Sequence, residues 1–149
     1  MENIFIADDN AKLLQRINNL SAESTALWGK MNASQMVKHC QKPLHVADGT
    51  LPLKRSLIGF LFGKMAKKSF IRKAELKKNM PTAPEFKIRN TPEFHQEKQI
   101  LLDLVKKFGE TGQAIITNKT HPFFGTMTEE EWGVLQYKHL HHHLNQFNV

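Results

Sequence analysis

The sequence predicts an all-α fold, a four-helix bundle with a basic, partly helical insertion between its second and third long helices. Three observations carry this. Four stretches repeat apolar residues at spacings of three and four. Three of them open with residues that favour a helix start. No credible sheet is available, because Ala114-Ile-Ile-Thr117 reads as one short strand without a partner. The 149 residues suggest one domain, 1–149, with enough chain for a hydrophobic core.

The first helix is expected from about Phe5 to Leu20, on the stripe Leu13, Leu14, Ile17 and Leu20. The second is expected over Ala33 to Ala47, with Asn32 and Gln35 as a cap pair and Met36, Val37, Cys40 and Leu44 as its apolar stripe. Pro43 lies inside the pattern, so this helix should kink or end early. The insertion, about residues 50–90, follows. Pro52, Gly59 and Gly63 interrupt its start, Phe60 to Leu76 holds a short amphipathic helix, and Asn79 to Pro84 is an extended loop. The third long helix starts at Thr91 as cap with Pro92 in the first helical position, and Gly109 stops it. After a turn at His121-Pro-Phe-Phe-Gly125, the fourth starts at Thr128 with Glu131 as capping box and runs nearly to the end.

Charge is unevenly distributed. The formal balance is +7, yet nine of the 21 basic residues fall between Lys54 and Lys78 against one acid, Glu75. The basic character belongs to that segment and not to the rest of the chain. The longest strongly apolar run, Ser56 to Gly63, is eight residues, far short of a membrane span of roughly 20. There is no secretory leader pattern, and Cys40 is the sole cysteine, which excludes an internal disulfide and a multi-cysteine zinc site. A cytoplasmic location is the expectation.

Chemistry concentrates in the histidines. Four of the eight lie between His139 and His143. On a wheel of 100° per residue, His139 and His143 fall within about 20° of Trp132, in the middle of the apolar face. His142 lies at its margin and His141 faces water. Two histidines one turn apart on a buried face suit metal binding, because their imidazoles can converge on one ion at roughly 2.0–2.1 Å. His39, at the edge of the second helix's inward face, is the best third ligand. His45 lies outside that face, and His95 and His121 read as caps, turn bonds or exposed residues. Gln146, His142 and Gln35 are candidates to orient ligand imidazoles. Trp132 and Met36 are candidates to line a pocket, although core packing explains Trp132 more simply. Cys40 reads as a buried structural thiol.

The phrases Ser34-Gln-Met-Val-Lys-His39, His139-Leu-His-His-His143-Leu-Asn-Gln146 and His121-Pro-Phe-Phe-Gly-Thr-Met-Thr-Glu-Glu-Glu-Trp132 together resemble the DinB/YfiT-like superfamily of metal-dependent four-helix-bundle proteins. The resemblance spans nearly the whole chain. It implies a bundle fold, a metal triad of His39, His139 and His143, and relatives that transfer or isomerise thiol adducts. The basic segment Lys54 to Lys78 departs from the compact members of that group.

Two functions compete. One is a metalloenzyme in which three neutral imidazoles hold a divalent transition metal and leave positions open for water or a low-molecular-weight thiol acting on a small electrophilic substrate. An all-nitrogen site suits zinc or nickel, then iron, cobalt or manganese. The other is a non-catalytic, metal-stapled bundle whose basic insertion meets nucleic acid or an anionic membrane surface. More simply, the insertion is a solvated segment that packs its apolar side over the bundle. A homodimer is compatible with either function. No phosphate loop, nucleophile elbow or paired-carboxylate motif is present.

Overall fold

The computed structural model describes residues 1–72 and 75–149. These are predominantly helical: α1 Ala7–Asn18, α2 Ala33–Ala47, α3 Leu57–Arg72, α4 Phe94–Thr111 and α5 Glu129–Gln146. Short 3-10 turns occupy Pro84–Phe86 and Gly112–Ile115. Two-residue strands β1 Thr120–His121 and β2 Gly125–Thr126 pair antiparallel around the His121–Gly125 turn.

Two helix starts form as the cap residues dictate. The Asn32 side chain accepts from Gln35 N at 2.9 Å while Gln35 Oε1 accepts from Asn32 N at 3.1 Å. Thr128 and Glu131 make the same reciprocal pair at the start of α5, at 3.1 and 2.9 Å. Each box satisfies two backbone donors that have no partner within the helix.

Several boundaries differ from the sequence expectation. α2 runs through Pro43 to Ala47, held where Gln136 of α5 donates to the Pro43 carbonyl at 3.1 Å. Packing on both sides outweighs the lost helical bond. α4 is capped by Glu93, not Thr91: the Glu93 carboxylate accepts from His95 N and Gln96 N at 3.0 and 2.6 Å. α4 also passes through Gly109 and ends at Gly112, whose φ of +63° only glycine adopts freely. Ala114–Thr117 is no strand. Its first residues turn in 3-10 fashion, and Thr117 N then donates to Ala47 O at 3.2 Å.

The expected stripes do face inward. Leu13 and Ile17 of α1, Met36, Val37 and Leu44 of α2, Leu101, Val105 and Phe108 of α4, and Trp132, Leu140 and Leu144 of α5 are all buried. Each such side chain contributes on the order of 1.5–3 kcal/mol through burial. α2 packs against α4 and α5, and α1 packs against the same two helices. Asn10 ties α1 to α4 by donating to Val105 O at 2.8 Å. α5 is buried on most of its surface, so it is the helix best placed to hold enclosed polar groups.

α3 behaves differently. It begins at Leu57, earlier than expected, because Gly59 and Gly63 are inside it and not before it. Their bare Cα atoms lie against the Phe123 carbonyl, where a Cβ at Gly59 would come within 2.6 Å of the oxygen. The helix therefore packs through its glycine face, and Leu57, Ile58, Phe60, Leu61, Phe62 and Met65 stay exposed. The first turns of α3 thus depart from the expectation that the insertion folds its apolar side over the bundle, whereas Leu51, Leu53, Phe70 and Phe86 of the insertion do pack against the core. Lys138 of α5 donates to Phe70 O and Ile71 O at 3.1 and 2.7 Å, a cation placed at the carbonyl end of α3. Lys73 of the basic run, and that part of the expected Phe60–Leu76 helix, lie outside the described residues; Leu76 itself is not helical. Among the described residues no helix is long and apolar enough to cross a membrane.

Candidate metal centre

α2 and α5 lie side by side, and this brings His39 against His139 and His143. The three rings are mutually close, with centroids 4.7–5.0 Å apart. One ring nitrogen from each lies within 4.8 Å of the others, so the cluster could hold a metal ion. Nitrogens sharing a tetrahedral ion at roughly 2.0–2.1 Å stand about 3.3 Å apart, so small ring movements would complete the site.

Hydrogen bonds fix two of the three tautomers. His39 Nδ1 lies 2.9 Å from the Phe86 carbonyl. A carbonyl only accepts, so Nδ1 carries the proton and Nε2 is left bare. On α5, Gln146 Nε2 donates to the Trp28 carbonyl at 2.6 Å. That orientation turns Oε1 toward His143 Nδ1 at 2.8 Å, which must again donate. His143 therefore also presents a bare Nε2. His139 Nε2 stands 3.1 Å from His39 Nε2, and His139 Nδ1 is enclosed without a hydrogen-bond partner. Lone pairs brought this close repel unless a proton or a cation lies between them. A single proton serves one pair of nitrogens, whereas a cation serves all three. The residues fit a metal ion on these grounds.

Electrostatics act in the same direction. Burial holds His39 below the ordinary imidazole range and pushes His143 down to about 3. His139 is lowered well below, first by burial and then by the neighbouring imidazoles of His143, His39 and His142. Neutral imidazoles are the form that ligates metal.

The triad sits at the edge of a cleft of about 700 Å³. Its apolar walls include Phe70 of α3, Leu76, Phe86, Phe124 and Leu135, and Lys30, Lys77, Lys87 and Arg89 also line it. No carboxylate is among the lining residues. The four cations have no acidic partner among the described residues. The insertion thus walls the cleft through residues 76–89 while α3 flanks it.

The other sequence candidates fall in various places. Gln146 touches His143 directly. His142 turns its ring edge to Trp28, centroids 5.8 Å apart, and makes no hydrogen bond to a triad nitrogen among the described residues. Gln35, one turn before His39, makes no hydrogen bond to a triad nitrogen among the described residues. Its amide caps α2 and reaches Asn90 O at 3.2 Å. Trp132 and Met36 do not line the cleft; both are wholly buried core residues, because their side chains point into the interior between helices. His141 does not face water. It is half-buried, 2.9 Å from Arg16 Nη1, because α1 covers that side of α5. His121 accepts from Phe123 N and Phe124 N at 3.0 and 3.1 Å and is a turn residue. His45 bonds Thr50 and His95 is exposed. Cys40 is buried, which pushes its thiol up and leaves it inert. No side-chain pattern announces the Phe86 and Trp28 carbonyls, since a backbone acceptor is the same for every residue type.

Comparison with known proteins corrects the family reading. No curated protein and no solved structure matches the chain. The family whose model matches is not the DinB/YfiT-like superfamily, and the short motifs at His39, His121–Trp132 and His139–Gln146 all lie inside the matched region. The match covers residues 3–149, and the chain belongs to the family described as protein of unknown function, DUF1569.

Proposed function

We propose that His39, His139 and His143 bind a divalent transition metal, and that the chain is a metal-dependent enzyme acting on a small, electrophilic, anionic substrate. One observation carries the reading. Three imidazoles converge beside a cleft of about 700 Å³, with no fourth protein ligand in the cluster among the described residues. Three protein ligands with a remaining open position is the pattern of catalytic sites, whereas structural sites are closed. The all-nitrogen donor set favours zinc or nickel, with iron, cobalt and manganese as weaker fits. The accompanying fold reading is a four-helix bundle of α1, α2, α4 and α5, supported by the closed cycle in which each packs on two others.

When bound, such a metal lowers the pKa of bound water so that the nucleophile forms near neutral pH. The protein's own groups do the rest. Phe86 O and Gln146 hold two imidazoles in register. The apolar walls exclude water, and the cations of Lys30, Lys77, Lys87 and Arg89 attract negative charge into the cleft. No carboxylate lines the cleft among the described residues, and burial holds the two further lining imidazoles, His121 and His142, below their ordinary range, which leaves them weak bases and activation chiefly to the metal. The expectation of a thiol nucleophile came from the family resemblance alone and has no support of its own now that the family is corrected.

The test is turnover on a panel of carboxylate-bearing esters, amides and phosphoesters, with the chain stripped of metal and then reloaded with zinc, nickel, iron, cobalt or manganese. Activity that appears only on reloading supports the enzyme. A metal that raises the melting temperature without turnover on any member, with every coordination position occupied by protein, leaves a staple between α2 and α5 and contradicts it.

A further inference from the structure

We propose that α3 is a membrane-docking helix that places this protein on anionic lipid surfaces. The inference is independent of the metal site. Of the ten large apolar side chains that are exposed among the described residues, six belong to α3: Leu57, Ile58, Phe60, Leu61, Phe62 and Met65. Leu57 is 86% and Leu61 72% exposed, so these are not side chains half-tucked against the protein. They stand together because Gly59 and Gly63 take the opposite face against Phe123. A contiguous patch of this kind marks an interaction site in a water-facing protein.

Charge decides what covers it. Along the outward face the exposed apolar residues run from Leu57 to Met65 with Lys64 among them, and the exposed cations Lys68 and Arg72 follow. α3 contains no acidic residue, and these three cations have no ion-pair partner among the described residues. A second copy of the same face would bring like charges together with nothing to neutralise them. Single-stranded nucleic acid would use aromatic faces for stacking, yet four of the six exposed residues are aliphatic or methionine and gain nothing from bases. An anionic bilayer satisfies both halves. The apolar turns, about 13 Å of helix, enter the headgroup and acyl boundary, and the cations meet lipid phosphates. The apolar stretch is much too short to span and four cations interrupt or follow it, so the docking is peripheral and reversible.

The test uses the intact chain with vesicles of phosphatidylcholine alone and of an equimolar phosphatidylcholine–phosphatidylglycerol mixture. Sedimentation with the anionic vesicles only is expected. Replacing both lysines in K64Q/K68Q should weaken partitioning about thirty-fold, and L61Q/F62Q should abolish it. Both pairs are solvent-exposed, so the melting temperature serves as the folding check. A third variant, F62W, keeps the patch and should shift its emission to the blue on anionic vesicles. Equal binding to both lipids, or binding unchanged by the substitutions, overturns the proposal. So does absence of vesicle binding accompanied by salt-sensitive binding to DNA, or by a dimer in solution that L61Q/F62Q dissolves.

Discussion

Gln146 shows how much of the candidate site depends on one amide. Its nitrogen is committed to Trp28 O and its oxygen to His143 Nδ1, so the two bonds together set which His143 nitrogen is bare. Gln146→Leu removes both and should weaken zinc binding by about 10- to 100-fold, read by competition with a chelating dye. Unchanged affinity would mean that the imidazole is positioned by packing alone. His121 makes a different prediction. Its burial lowers its pKa to about 4, below the ordinary 6.5, so as pH falls the unfolded chain takes up the proton first. Its contribution is complete above about 6.5 and is lost as pH drops toward 4, at up to about 1.4 kcal/mol per pH unit. The protonated ring also cannot accept from Phe123 N and Phe124 N. Urea midpoints measured across that window should fall more steeply for the native chain than for His121→Asn, and parallel curves would contradict this. At this scale the wheel found the His139–His143 pair because side-chain phase on a helix is written in the sequence. It missed the placement of His141, because the covering helix α1 is 125 residues away along the chain.

Among the elements, helix starts with paired cap residues were legible and stops were not. Asn32 with Gln35 and Thr128 with Glu131 are local arrangements, and both form as the residues dictate. Thr128→Ala should lower stability by about 1 kcal/mol in denaturant titration; no change would mean that Glu131 alone closes α5. The start of α4 was misplaced because Thr91 and Glu93 both satisfy cap chemistry, and only the folded backbone selects Glu93. Pro43 and Gly109 read as breakers because the sequence does not show the packing that overrides them. Gly59 and Gly63 misled in a more useful way: they are close-contact residues between α3 and the β1–β2 turn. Gly63→Ala should cost about 1–3 kcal/mol by forcing α3 away from the Phe123 carbonyl. A neutral effect in thermal melts would show that α3 is not seated there.

At the scale of the whole molecule, the helical class and the inward stripes followed from periodicity, whereas the cleft did not. Its walls come from segments as far apart as Trp28, Phe70, Phe86 and Phe124, and no pattern within one segment announces that they meet. The insertion gains a role from this placement, since residues 76–89 close one side of the space beside the triad and the C-terminal turns of α3 add Phe70 to its wall. The central claim is that three histidines from two helices form one metal site. Elemental analysis of the purified chain after equilibration with zinc and gel filtration tests it most directly. One ion per chain is expected, retained in His141→Ala/His142→Ala and lost in His39→Ala/His139→Ala/His143→Ala. A native chain that emerges without metal, or a triple variant that keeps its full complement, would contradict it.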